Sequence, residues 1–190
     1  MSAFNVAKFG GTSVANFEAM SRCATIIENN PNTRLVVSSA CSGVTNLLVE
    51  LANGIQDQEQ RAELLRKLAE IHDDILGQLR DAAEASAEVY AILDTVTSLA
   101  EAASIQASSK LTDHLVACGE LMSTHILAQL MRERGINAVR FDIRDVLRTD
   151  DNFGRAEPNV EAISQLAQEK LVPLCQESVV ITQGFIGSDE

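Results

Sequence analysis

About a hundred residues separate the apolar run Leu35 to Val37 from the next β-like run, Ala138 to Phe141, and this interval constrains the fold more than any other feature. A crossover between parallel strands needs only about a dozen residues, so the excess has to form structure of its own. Its periodicity is helical. Leu64, Leu65, Leu68, Ile71, Ile75 and Leu79 make an i, i+3/i+4 stripe with Glu, Arg, Lys and Asp opposite. Ala82 to Ser109 is Ala-rich with Val89, Ile92, Leu93, Val96 and Leu99 at helical spacing, and Leu111 to Arg134 closes at Gly135, a helix stop. Asn53-Gly54 separates the first helix of the interval from the second.

Around this helical segment lie short β-branched or aromatic runs: Phe4 to Phe9, Leu35 to Val37, Ala138 to Phe141 and Val179 to Ile181. Such runs are expected of strands buried on both faces of a parallel sheet, so the chain reads as α/β with a helical layer. Its 190 residues, at about 150 per domain, allow one large domain or an incomplete pair. Neither a repeat nor a linker divides them, and Pro31, Pro158 and Pro173 fall near element ends. No helix follows the last run, so one face of the sheet is expected to lack cover and to expose apolar surface.

Charge narrows the function. Fifteen Lys and Arg stand against 27 Asp and Glu, a net charge of −12, which repels phosphate backbones and anionic lipid. Neither a nucleic-acid partner nor a membrane partner is expected. No run approaches the ~20 apolar residues of a membrane span, and the N-terminus MSAFNVAKFGG lacks a signal-peptide core, so the default location is cytoplasmic. Cys23, Cys41, Cys118 and Cys175 are 18, 77 and 57 residues apart, which reads as reduced thiols. His114 and Cys118 share a helix face but lack a second ligand pair, so they read as packing and surface, and no residue is assigned to a metal.

Chemistry concentrates in Val6-Ala7-Lys8-Phe9-Gly10-Gly11-Thr12-Ser13-Val14, a strand entering a double glycine and two hydroxyl residues. Adjacent glycines let backbone N–H groups approach an anion, a following helix N-terminus favours negative charge, and Lys8 adds a full positive charge. The alternative is a tight turn with Thr12 or Ser13 as N-cap. Lys8 favours the phosphate cradle, since a charge at the end of a buried strand is costly unless an anion pairs with it. The spacing fits neither GxxxxGK[ST] nor GxGxxG.

A second hydroxyl-rich loop, Ser38-Ser39-Ala40-Cys41-Ser42-Gly43-Val44-Thr45, follows the second run, and Gly184-Phe185-Ile186-Gly187 follows the last. Ligands of open parallel sheets bind beyond the carboxyl ends of strands, so these loops and the Lys8 loop are candidates to line one cleft, with ordinary turn chemistry as the alternative. Gly119 interrupts a helix, which suggests close backbone approach and would turn Glu120 toward that cleft; a solvated glutamate is the alternative. Arg148 to Arg155 reads as a mobile flap or a surface connection.

VAKFGGTSV resembles the N-terminal signature of the aspartate kinases, members of the amino-acid kinase superfamily. LVVSSACSGVTNLL is similar to the family's second-strand loop, LTDHLVACGELMS to its substrate-glutamate helix, and VVITQGFIGS to the strand before the nucleotide half. GELMS with RTDDNFGRAEP is most like the monofunctional, lysine-sensitive class. The resemblance covers essentially the whole chain and implies a three-layer parallel-sheet fold, with residues 1–190 as the N-terminal portion of the catalytic domain. The glycine-rich segment, SDY-type motif, nucleotide half and regulatory ACT domains would lie beyond Glu190, and such a fragment would be inactive alone.

The implied reaction is ATP-dependent phosphorylation of the L-aspartate β-carboxylate to 4-phospho-L-aspartate, the first step of lysine, threonine and methionine biosynthesis. Lys8 would contact the transferring phosphoryl group, with Gly10, Gly11, Thr12 and Ser13 completing the nucleotide phosphate site. Ser39, Thr45, Glu120, Gly184 and Phe185 would surround the aspartate. ATP with Mg²⁺ is the implied co-substrate and a homodimer the implied assembly. Alternatives are a glutamate- or acetylglutamate-type kinase, or a non-catalytic ligand-binding or oligomerisation module.

Overall fold

The computed structural model describes residues 4–189. Met1 to Ala3, part of the signal-peptide reading, and Glu190 lie outside the described residues. Strand β1 (Asn5–Phe9) leads through a 3₁₀ turn at Gly11–Val14 into α1 (Phe17–Glu28), and β2 (Thr33–Ser38) follows. The long interval then folds as α2 (Val44–Ala52), α3 (Gln58–Leu76), α4 (Ala83–Ile105) and α5 (Ser109–Glu133). After β3 (Ala138–Arg140), helix α6 (Val160–Leu166), one π turn and α7 (Val172–Glu177) lead into β4 (Val179–Gln183).

Helix boundaries follow local chemistry. Gly54 ends the first helix with φ +80°, and a Cβ there would stand 2.7 Å from the Ala103 carbonyl oxygen, so only glycine fits. The Ala-rich helix stops at Ile105, four residues before the expected Ser109. Gln106 turns extended, and Ser108 then caps α5 by accepting the Leu111 N–H at 3.2 Å. Gly135, at φ +82°, follows α5 as the expected stop.

All strand pairs are parallel, in the order β1-β2-β4-β3. Alternation splits the sheet into two packed faces. Val36 and Ile181 join the core of the large helical layer, whereas Leu35, Val139 and Val180 pack with Leu171 and Cys175 on the other side. The fold is therefore three-layered α/β. The expectation of a bare sheet face is overturned: β4 is buried at all five positions, because the helices before it in sequence, not after it, supply the cover. Burial of every strand on both faces also fails. β1 is an edge strand, and Val6 is 58% exposed.

The register carries the functional consequence. Phe9 pairs with Ser38 and Ser38 with Gln183, so the three strands end at one level and their loops leave the same edge. No helix among the described residues is long and apolar enough to cross a membrane.

His72, on α3, is fully buried; its Nδ1–H donates to the Leu68 carbonyl at 2.7 Å and Nε2 has no partner. Burial lowers its pKa from 6.5, and burial likewise lowers His125 to about 4. A histidine depressed in the folded state contributes its full share of stability above 6.5 and loses it as the unfolded chain takes up a proton on acidification. Urea denaturation is therefore expected to show stability falling below pH 6.5, by up to ~1.4 kcal/mol per pH unit per histidine. His72→Leu should remove about half of that slope; an unchanged slope would exclude His72 as a source.

Candidate active site

At the shared edge, the loops after β1, β2 and β4 meet the middle of α5 around a cavity of about 500 Å³. Gly11, Thr12, Ser39, Thr45, Glu120 and Phe185 line it, together with Ala40, Cys41, Ser42, Gly43 and Val116. Six of the residues singled out in the sequence thus share one wall system.

Glu120 is 5% exposed. Its Oε1 accepts a long hydrogen bond, 3.4 Å, from the Ala40 N–H, and Oε2 has no partner. Burial raises its pKa above the usual carboxylate value. A desolvated, half-satisfied carboxylate lining a cavity is costly to the fold and is poised for a cationic or hydrogen-bond-donating ligand. The position results from packing: a Cβ on Gly119 would stand 2.8 Å from Ala40 Cβ and 3.1 Å from Val44 Cγ1, so glycine lets the helix touch the loop. Ser123, one turn later, donates to the Ser39 carbonyl at 2.7 Å and locks the same contact.

Lys8 does not line the cavity. Its ammonium group lies 4.4 Å from the centroid of the Phe185 ring, which forms the cavity's outer wall. Phe185 is 82% exposed and has φ 63°, the left-handed region in which a bulky residue is strained. The argument that Lys8 would be costly within a buried strand is corrected, because it is exposed on an edge strand. What aims it at the site is Phe185.

The glycine pair divides its work. A Cβ on Gly10 would meet nothing within 4 Å, which leaves open space before the backbone, whereas one on Gly11 would stand 3.1 Å from the Ala40 carbonyl oxygen. The reading of Thr12 or Ser13 as N-cap is overturned. Gly10 precedes a four-residue 3₁₀ turn without any side-chain cap, and Asn16 caps α1 by accepting the Ala19 N–H at 2.9 Å. Ser13 is partly buried, and its backbone carbonyl accepts the Cys23 thiol at 3.1 Å. Gly184 is buried against β2, where a Cβ would stand 3.2 Å from Val37 Cγ1, and its N–H donates to the Ser38 carbonyl at 3.1 Å.

Burial pushes the Cys41 thiol up to about 12, so this cavity-lining cysteine is protonated and offers no thiolate nucleophile. His114 is exposed and packs edge-on against Phe153 with ring centroids 6.4 Å apart, and Cys118 Sγ donates to the His114 carbonyl. The Arg148 to Arg155 segment is pinned. The Gly154 N–H donates to Asp113 at 2.7 Å, and Lys110 lies 5.0 Å over the Phe153 ring. A larger groove of about 1080 Å³ under this segment shares only Val116 and Phe185 with the cavity.

Sequence reasoning missed two fully buried polar side chains behind the cavity, Thr124 and Gln183, joined at 2.9 Å. A glutamine ending an apolar strand was the available signal.

Residues 3–190 match the amino acid kinase family, and the chain belongs to it. It is 50% identical over 189 residues to lysine-sensitive aspartokinase 3 of Escherichia coli, covering 100% of this chain and 42% of that protein. An aspartokinase of Chlamydia pneumoniae is 32% identical over 185 residues, with 97% and 39% of the two chains covered. The crystal structure of E. coli aspartokinase III with aspartate and ADP superposes with a TM-score of 0.95 at 49% identity, covering 97% of this chain and 41% of that one. The chain thus spans about two fifths of the length of these relatives.

Glutamine in place of Glu120 keeps an acceptor for Ala40 and removes the buried charge. Because burial raises the carboxyl's folded pKa, ionisation at neutral pH opposes folding, and that penalty disappears as pH falls below the unfolded value of 4.5. Glu120→Gln is expected to stabilise the fold at pH 7 by roughly 1–3 kcal/mol in denaturant titrations. The gain should vanish near pH 4; a destabilised variant at pH 7 would show that the carboxylate is satisfied.

Proposed function

We propose that this chain supplies the acidic-amino-acid site and part of the phosphate site of an aspartate kinase, which transfers the γ-phosphoryl group of ATP to the β-carboxylate of L-aspartate. The observation that carries the reading is the buried, half-satisfied Glu120 carboxylate lining a cavity whose outer wall presents Lys8. Glu120 pairs with the substrate ammonium in a charge-assisted contact, and Ser39 and Thr45 complete the substrate wall. Lys8 leaves the Phe185 ring for the migrating phosphoryl group, whose charge it neutralises, while Gly10, Gly11, Thr12 and Ser13 form the backbone side of the phosphate site. Gly184 and Phe185 close the aspartate side.

The substrate's own carboxylate is the nucleophile, so the chemistry consists of positioning and charge neutralisation. Among the described residues no group of three or more His, Cys, Asp or Glu side chains could hold a metal ion. Mg²⁺ enters this reading as the ion carried by ATP, where it would add positive charge at the phosphates. The solved E. coli relative with aspartate and ADP supports both ligands. A homodimer in the whole enzyme and a cytoplasmic location belong to the same reading.

In a coupled ADP-release assay of the enzyme, L-aspartate is expected to be the preferred acceptor over glutamate and acetylglutamate. Lys8→Ala should lower kcat by a factor of about 10² or more with little change in folding. A rate near wild type would remove Lys8 from the reaction, and preference for another acceptor would overturn the substrate assignment. Glu120→Gln is expected to act chiefly on aspartate, raising its KM about tenfold or more.

A further inference from the structure

The two walls of the cavity are carried by different elements, and one buried pair joins them. Thr124 lies one turn beyond Glu120 on α5, and Gln183 is the residue before the Gly184-Phe185 turn; they are 0% and 1% exposed. Thr124 Oγ1 donates to the Glu120 carbonyl at 2.9 Å and accepts from Gln183 Nε2 at 2.9 Å and Arg140 Nε at 3.3 Å. A hydroxyl has one donor and two acceptor sites, so this one is saturated. Gln183 is held at its other end, where Oε1 accepts the Ile143 N–H at 2.9 Å, which fixes the orientation of its amide. Apolar residues at these two positions would leave the Ile143 N–H without its acceptor, so the network is satisfied only as a whole.

We infer that Thr124 and Gln183 are positioning residues that set the spacing between the Glu120 wall and the Phe185 wall, and thereby the fit of the acidic substrate. The strained φ of Phe185 needs surroundings that over-determine it, and Gln183 is anchored both to α5 and to the segment after β3. The pair touches no cavity surface, so it acts through its neighbours. This inference rests on the aspartate reading for its substrate and on the hydrogen-bond geometry for its mechanism, and the two are tested separately.

Thr124→Val keeps the shape and strands Gln183 Nε2; Gln183→Met keeps the volume and strands the Ile143 N–H; Thr124→Ser keeps the hydroxyl. Amide hydrogen exchange of the protein is read at Ile143 and Gly184, whose N–H groups depend on this corner, and at Val180 and Ile181 within β4. The first two variants are expected to speed exchange at Ile143 and Gly184 about tenfold, to leave Val180 and Ile181 near wild type, and to weaken aspartate about tenfold with the nucleotide KM unchanged. Thr124→Ser should restore both readouts. Unchanged exchange, uniform loss of protection along β4 in both variants, or faster exchange with unchanged aspartate affinity overturns the inference. Aspartate and nucleotide constants are read in the whole enzyme that contains this chain; a wild-type whole enzyme that turns over no aspartate would overturn the functional reading alone, while the exchange pattern still judges the pair.

Discussion

The site depends on one close approach, that of Gly119 on α5 to Ala40 in the loop after β2. Any side chain at Gly119 would drive the helix out of that loop, since its Cβ would stand 2.8 Å from Ala40 Cβ. A glycine inside a helix costs ~1 kcal/mol relative to alanine. Here the burial of α5 between the sheet and α2 and α4 offsets that cost, and the contact brings Glu120, Ser123 and Thr124 against the strand ends. Helix and loop behave as one corner, braced by the Ser123 bond to Ser39 and the Glu120 bond to Ala40.

That corner places opposite charges in different environments. Glu120 is enclosed and its carboxyl is raised by burial, whereas Lys8 is exposed and rests on the Phe185 ring. A buried carboxylate with a free oxygen is a preorganised acceptor, strong because water does not compete for it. A cation on a flexible stem over an aromatic face is mobile by comparison, which suits a group that follows a migrating charge.

Much of this was legible in the residues. The β-branched runs marked every strand, the periodicity of the long interval marked its helices, and Gly54, Gly119 and Gly135 marked two breaks and one close contact. Glu120 emerged because it follows a glycine that helix propensity disfavours. Thr124 did not, because a threonine within an apolar helix looks like any other core position until its partner is known. The cap of α1 was misplaced by several residues: Thr12 and Ser13 have the right chemistry, but the chain makes a 3₁₀ turn there and begins its helix after Asn16.

By itself, the sequence determined the α/β class, the helical layer, the parallel strands and the loops that carry glycine and hydroxyl groups, because these follow from local periodicity and backbone freedom. Strand order was a tertiary matter. β4, last in sequence, inserts between β2 and β3, so its cover comes from helices that precede it and the exposed edge falls on β1. Tertiary packing likewise decided which polar groups are buried, since the protonation of Glu120 and the partners of Gln183 depend on contacts made across tens of residues of chain. Periodicity reports the face a residue presents; only the assembled fold reports what that face meets.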